Sequence, residues 1–232
     1  EIRPRDWSSD VCSSDLRKVW RLIMTDDVKL VIEPPKSEQS ERDFMTINQL
    51  IEVDAWPHSY LPGLDFIPYI KRLGERVTGI EVGVAKGETS AYLLEKCPNI
   101  EKLYGVDPYL PYEDWCRFID EKEINLQEEI AINNLLPYMN RFEFMKMTSE
   151  NAIKSFAPGS VDYVFIDGDH SYEQTLADLN MYYPLVRSGG ILFGHDINLN
   201  SVRDAVNDFR EKNKIRIPIN TIRNNAWFWT KA

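Results

Sequence analysis

Cysteine is scarce in this sequence: Cys12, Cys97 and Cys116 are the only three in a chain of 232 residues. Their spacing fits neither a zinc site nor a disulfide framework, so they read as small, partly buried thiols in a reducing compartment. Basic charge is short as well, with 27 lysines and arginines against 37 acids and a net charge of −10. Such a chain repels phosphate backbones, which argues against a nucleic-acid partner. No apolar run reaches the length of a bilayer span, and no lysine- or arginine-rich amphipathic face is available to lie on a membrane. These absences lead to the expectation of a cytoplasmic protein with no nucleic-acid and no membrane partner. What is present, 43% hydrophobic and 28% charged residues, suffices for one α/β domain with a full core.

The first residues differ from the rest. Residues 5–16 read RDWSSDVCSSDL, dense in serine and aspartate, without helical or strand periodicity and without the regions of a signal peptide. Residue for residue they resemble a translated sequencing adapter. Residues 1–23 are therefore read as a non-native leader, with translation starting near Met24. Residues 24–76 read as an N-terminal helical, substrate-side extension. It has a turn at Pro34 and Pro35, a helix over 41–51 and an aromatic, proline-rich segment over 56–69.

From Val77 to Ala232 short apolar runs alternate with amphipathic ones. The runs at 77–82, 102–106, 142–145, 161–166 and 190–194 predict strands. The stretches 88–96, 121–136, 149–155, 172–186 and 200–213 predict helices. Alternation of this kind implies βαβ units and a parallel sheet covered on both faces. The end departs from it: apolar runs at 217–222 and 226–230 flank Arg223-Asn224-Asn225, and Asn-Asn favours positive φ, so a closing antiparallel hairpin is expected. The fold class is thus α/β and Rossmann-like, with five parallel strands finished by a hairpin.

The first strand runs into Glu81-Val82-Gly83-Val84-Ala85-Lys86-Gly87. Glycines at 83 and 87 let the backbone turn tightly and approach a ligand. A dinucleotide fingerprint needs a third glycine and no acid beside the phosphates, so this loop does not match one. Taken alone it is as compatible with a plain strand-to-helix turn as with a ligand site. Asp107 closes the second strand beside that loop, where a carboxylate can accept both hydroxyls of a ribose.

Together these residues resemble the first two motifs of class I S-adenosylmethionine-dependent methyltransferases. The resemblance implies a seven-stranded, mostly parallel sheet with helices on both faces. It implies that Glu81, Gly83, Val84 and Gly87 contact the methionine part of the cofactor and that Asp107 binds its ribose. Thr148-Ser149-Glu150 matches the segment that contacts adenine, with Ser149 and Glu150 as the binding residues. Residues 161–172, which contain Asp167-Gly168-Asp169-His170, resemble the fourth motif and add Asp167 to the cofactor contacts. Arg187-Ser188-Gly189-Gly190 resembles the Pro-Gly-Gly entry to the fifth strand, with serine in place of proline. More narrowly, the Asp167–Glu173 stretch with Gly194-His195-Asp196 resembles small-molecule O-methyltransferases of the macrolide-sugar and catechol kinds.

Methyl transfer to an alcohol needs an in-line nucleophile and a group to remove its proton. His170 and Asp167 are the candidate catalytic residues, against the plainer readings of a surface histidine and a helix cap. Asp167 and Asp196 are the candidate ligands of a divalent cation, magnesium by the oxygen-rich donors. The relatives' third ligand is not reproduced, leaving Asp169, Asn198 or His195 to substitute. His195 is as compatible with a satisfied buried histidine as with catalysis, and His58 reads as structural. Trp56, Tyr60, Tyr109, Tyr112 and Trp115 flank the expected crevice, as pocket or as core. Trp227-Phe228-Trp229 reads as a strand packed on one face. The partner is expected to be a small-molecule acceptor; homo-oligomerisation stays open. A nicotinamide-dependent oxidoreductase and a non-catalytic cofactor-binding module are the competing readings.

Overall fold

The computed structural model describes residues 66–113, 118–222 and 225–232. Every described residue lies within the compact unit 59–232. The leader, Cys12, Cys116, the turn at Pro34, the helix over 41–51, Trp56, His58, Tyr60 and Trp115 lie outside the described residues.

A short helix, α1 (Ile67–Ile70), precedes β1 (Val77–Val82), α2 (Glu88–Lys96) and β2 (Ile100–Val106). A small hairpin, β3 (Tyr112–Glu113) and β4 (Phe118–Ile119), leads into α3 (Glu121–Leu135) and β5 (Phe142–Met145). Then come α4 (Ser149–Ala152), β6 (Val161–Ile166), α5 (Tyr172–Tyr182) and β7 (Val186–Gly194). The chain closes with α6 (Asn200–Lys212), β8 (Asn220–Thr221) and β9 (Trp227–Thr230). One seven-stranded sheet has the order β5-β2-β1-β6-β7-β9-β8. Its first five strands are parallel, and β9 and β8 are antiparallel to their neighbours. The expected Rossmann-like sheet with a C-terminal antiparallel hairpin is what the structure shows.

Both faces of the sheet are covered, and the central strands are buried almost throughout. In β1 and β6 every residue but one is buried. One face packs Ile70, Leu93, Leu103, Phe165 and Phe193 into a core. The other packs Ile80, Val164, Leu192, Val206 and Trp229. Phe66, fully buried, sits 5.2 Å from the ring of Phe165 and 4.2 Å from that of Phe193, which joins α1 to the first core. Helix α6 presents Val202, Ala205, Val206 and Phe209 inward, the spacing of a single helical face. Helix α5 starts at Ser171, whose hydroxyl accepts from the Gln174 amide, and α3 starts at Asp120, which accepts from Glu123.

Several boundaries differ from the sequence reading. Helices α3 and α5 give way to 3-10 turns at Leu136–Tyr138 and Tyr183–Leu185, each holding a proline that cannot continue an α-helical ladder. The strand expected over 217–222 shrinks to Asn220–Thr221. Pro218 has no N–H for a ladder, so Ile215, Ile217 and Ile219 keep their alternation and pack on the core without pairing. Trp227, Phe228 and Trp229 are all buried, with the tryptophans in one core and Phe228 in the other, so this strand is covered on both faces. The β3–β4 hairpin had no counterpart in the sequence reading. Among the described residues no helix is long and apolar enough to cross a membrane.

Candidate functional site

The site grows from strand register. Val82 pairs with Val106 on one side and Ile166 on the other, and Ile166 pairs with Gly194. The ladder continues one step beyond each strand. The Gly83 amide donates to Val106 O (2.9 Å), the Asp167 amide to Val82 O (2.8 Å) and the His195 amide to Ile166 O (3.2 Å). Four strands therefore end at one level, and Gly83, Asp107, Asp167 and His195 emerge side by side at the crevice where the strand order reverses.

The glycine loop turns as expected, with Gly83 at φ 90° and Gly87 at φ 70° as the N-terminal cap of α2. A Cβ on Gly83 would lie 2.1 Å from the carbonyl oxygen of Asp167. The first loop and the end of β6 are thus in backbone contact. Asp107 Oδ2 accepts from the amides of Val84 and Ala85, both at 3.0 Å, and Oδ1 accepts from Tyr109 N at 2.8 Å. This carboxylate fastens the glycine loop to the end of β2. Tyr109 is buried at φ 47°, and its hydroxyl donates to Ala85 O (3.0 Å). It is a second clamp on the loop rather than a wall of the crevice.

Glu81 lies beneath the loop, 2% exposed, and accepts a hydrogen bond from the Ser90 hydroxyl. Burial pushes its carboxyl up to about 8; the Ser90 bond opposes this, and Asp167 and Asp107 add to it. Ser149 opens α4 as its first residue, with Glu150 next to it. A partly buried network holds this turn. Gln174 Nε2 donates to Ser149 Oγ (3.3 Å) and to Asp178 Oδ1 (3.1 Å), and Tyr182 donates to Ser149 O (3.1 Å). Asp178 is 1% exposed, and burial pushes it up to about 6 against the pull of Ser149 and Gln174. Asp178 and Gln174 escaped the sequence reading, because an aspartate and a glutamine in mid-helix look like solvated face residues; a spacing of four positions on α5 was the only available signal.

Around the ends of β6 and β7 the structure gathers Asp167, His170, His195 and Asp196. His170 Nε2 and Asp196 Oδ2 are 2.8 Å apart, as are His195 Nδ1 and Asp196 Oδ2, and His195 Nδ1 lies 3.6 Å from Asp167 Oδ1. Asp196 adopts φ 55°, a left-handed conformation that aspartate tolerates better than most residues and that turns its carboxylate toward both imidazoles. Burial alone would raise Asp196, but the hydrogen bonds from His170 and His195 outweigh it and hold the group below the ordinary aspartate range. Burial pushes Asp167 up to about 6, with His195 opposing and Asp196 reinforcing the rise. One donor atom each from Asp167, His170 and Asp196 lies within 4.8 Å of the other two. Two carboxylates and one imidazole at that separation fit a divalent cation with positions left for oxygen ligands. The third residue of this group is His170; Asp169 and His195 are not in it. Asp169 instead accepts from the Ser171 amide (2.7 Å), next to the cap of α5. His195, read from sequence as equally structural, belongs to the cluster, and its carbonyl accepts from Trp227 Nε1 (2.9 Å).

Beside the cluster opens a cleft of roughly 620 Å³, within the range of small-molecule sites. Among the described residues it is lined by Tyr112 and Glu113 from the hairpin, by Asp169, His170 and Ser171 after β6, and by residues 198–201 from the turn into α6. Of the crevice aromatics expected from sequence, Tyr112 lines this cleft and Tyr109 does not.

A family model described as a methyltransferase domain matches residues 80–197, just over half of the chain. A curated but uncharacterized protein of Acanthamoeba polyphaga mimivirus is 25% identical over 150 residues, which cover 63% of this chain and 59% of that protein. The chain therefore spans less than two thirds of that relative's length. The O-methyltransferase from Bacillus cereus in complex with SAH superposes with a TM-score of 0.55 at 14% identity, over 81% of this chain and 87% of that one. Precorrin-6y C5,15-methyltransferase from Geobacter metallireducens superposes with a TM-score of 0.52 at 13% identity, over 72% and 85%. At these identities the solved structures establish a shared fold.

Proposed function

This chain belongs to the methyltransferase-domain family, and we propose that it moves a methyl group from S-adenosylmethionine to a hydroxyl of a small molecule. The observation that carries the reading is the juxtaposition at the strand ends: a glycine loop held by Asp107, and next to it a histidine that is paired with a carboxylate and lines a cleft.

S-adenosylmethionine supplies the methyl group as part of an electrophilic sulfonium. The chain supplies position and proton transfer. Backbone amides after Gly83 and the Asp107 carboxylate hold one side of the crevice, and Ser149 and Glu150 the other. The acceptor hydroxyl sits over His170, which takes its proton as the oxygen–carbon bond forms and the carbon–sulfur bond breaks, the electron pair leaving on sulfur. Asp196, 2.8 Å from His170, orients the imidazole and favours its charged form. Transfer from a sulfonium requires no covalent enzyme intermediate, so alignment accounts for most of the catalysis.

The donor geometry favours a second reading of the same site. Asp167, Asp196 and His170 would hold a divalent cation, which would lower the pKa of the acceptor hydroxyl. The two readings part in one experiment. Calorimetric titration with S-adenosylhomocysteine should show micromolar binding, and His170→Ala and Asp167→Ala should lose turnover while largely sparing that binding. Turnover that survives chelation supports proton removal by His170 alone; turnover restored only by magnesium supports the cation. Failure of the folded chain to bind S-adenosylhomocysteine would refute the proposal and favour the oxidoreductase or the silent module.

A further inference from the structure

Three side chains on successive turns of α5 converge on one serine. Gln174, Asp178 and Tyr182 are spaced four positions apart, so they form one stripe along the helix. Gln174 Nε2 donates to Ser149 Oγ (3.3 Å), the Tyr182 hydroxyl donates to Ser149 O (3.1 Å), and the Asp178 carboxyl is hydrogen-bonded with the Ser149 side chain. Gln174 Nε2 also donates to Asp178 Oδ1 (3.1 Å), which closes a triangle. Asp178 is 1% exposed and Tyr182 fully buried. A carboxyl at that depth is a costly way to pack a helix, since an apolar side chain would fill the space without desolvating charge.

The triangle stands at the crevice. Ser149, itself half-buried, follows β5, whose last residue, Met145, pairs with Val106 and accepts from the Asp107 amide (3.3 Å). Asp178 Oδ2 lies 4.0 Å from the position of a Cβ on Gly168, and Thr175 donates to Asp169 O (3.3 Å), so the inner side of α5 also abuts the loop after β6.

Hydrogen-bond polarity within the triangle is fixed. Gln174 must present its amide nitrogen to Asp178, because its carbonyl oxygen would face another acceptor. Toward Ser149 that nitrogen can only donate, so the serine oxygen accepts. Burial raises Asp178 only to about 6, so at pH 8 it is a carboxylate and takes the single hydroxyl hydrogen of Ser149. A hydroxyl oxygen has two lone pairs, and Gln174 occupies one. What Ser149 has left for a ligand is one lone pair and no hydrogen: its side chain can accept but cannot donate.

We propose that Asp178 and Gln174 select the base of the cofactor: they turn the hydrogen of Ser149 inward, so that the site accepts from the exocyclic amine of adenine and rejects a purine with a carbonyl oxygen at that position. This rests on the S-adenosylmethionine reading above and adds the residues that choose among its purine analogues. Both are positioning residues, acting through Ser149.

S-inosylhomocysteine, which carries a carbonyl oxygen where S-adenosylhomocysteine carries the amine, is the probe. Dissociation constants of both ligands for the full chain are measured by calorimetry at pH 8. The unaltered chain should bind S-adenosylhomocysteine at least about tenfold more tightly, because the carbonyl would meet the Ser149 lone pair unpaired. Asp178→Asn keeps the shape, but its side-chain amide can donate to Ser149 and release the serine hydrogen to the ligand. The ratio should then fall to about threefold or less. Ser149→Ala, which leaves Asp178 and Gln174 paired, should lose the preference as well. A purely structural Asp178 would weaken both ligands by one factor and leave the ratio where it was. A ratio below about tenfold in the unaltered chain, or one that stays above about threefold in either variant, overturns the proposal. Failure of the unaltered, folded chain to bind either ligand instead overturns the reading beneath it.

Discussion

Glu81 is the carboxylate whose burial has the most measurable consequence. It is 2% exposed, hydrogen-bonded by Ser90, and raised to about 8 from the 4.5 of a free glutamate. Below pH 4.5 the folded and unfolded chains both carry its proton. As pH rises the unfolded chain loses that proton first, and the folded chain keeps it until about pH 8. Stability contributed by this group is therefore full in acid and lost progressively through that window. Each pH unit between the two values removes about 1.4 kcal/mol, so the interval from pH 5 to pH 8 removes about 4 kcal/mol. Glu81→Gln keeps the shape and an oxygen for Ser90 but cannot ionise. Urea unfolding followed by fluorescence of the fully buried Trp227 and Trp229 reports both proteins at several pH values. Asp167 and Asp178 titrate in both and largely cancel in the difference. The variant should gain on the parent by about 2–4 kcal/mol between pH 5 and pH 8. Parallel stability profiles for the two proteins would refute the argument, because a glutamate that ionises freely in the folded chain contributes no such difference.

Three further outcomes follow from the site. Asp107→Ala removes the acceptor of three backbone amides and should weaken S-adenosylhomocysteine binding by about 1–3 kcal/mol; unaltered affinity in calorimetry would contradict both its loop-holding and ribose roles. Gly83→Ala places a methyl group 2.1 Å from the Asp167 carbonyl at φ 90°, so a lowered melting temperature together with lost cofactor binding is expected, and a variant that binds normally would show that the two loops are not in contact. Asp178→Asn, which still pairs with Gln174, should raise the KM for S-adenosylmethionine less than Asp178→Ala does, with kcat nearly constant for both. An equal effect of the two variants would mean that the partly buried network does not set the position of Ser149.

The sheet was legible because its signal is redundant. Val77–Val82, Phe142–Met145 and Val161–Ile166 are short apolar runs with no competing helical period, and the structure places strands at those residues. Asn225 adopts φ 61°, as the turn chemistry of Asn-Asn required. Local signals failed where pairing decides. Residues 215–219 alternate like a strand, yet Pro218 keeps them out of the ladder. Tyr112–Glu113 and Phe118–Ile119 are too short for any period to register, although Tyr112 and Glu113 line the cleft. At the site, Asp107, Asp167 and Asp196 could be placed because each follows an apolar run and so must stand at a strand end. Their partners could not. That Asp107 is engaged by Val84, Ala85 and Tyr109, or that His195 shares Asp196 with His170, depends on strands brought together across tens of residues. The buried pairing of Asp178 with Gln174 and Ser149 depends in the same way on α5 lying across the start of α4.

The missing side chain at Gly83 lets the backbone of the cofactor loop rest on the carbonyl of Asp167, while the Asp167 amide is tied to Val82. On the proposed function, the cofactor and acceptor sites would meet at this seam of peptide groups, with no side chain between Gly83 and the Asp167 carbonyl. Energy spent seating a nucleoside ligand on the glycine loop would then be felt across that seam. By reciprocity, whatever an occupied cofactor loop does to acceptor affinity, an occupied acceptor cleft must do equally to the cofactor. The expected signature is non-additive binding of the two ligands, with the order of addition immaterial to the sum.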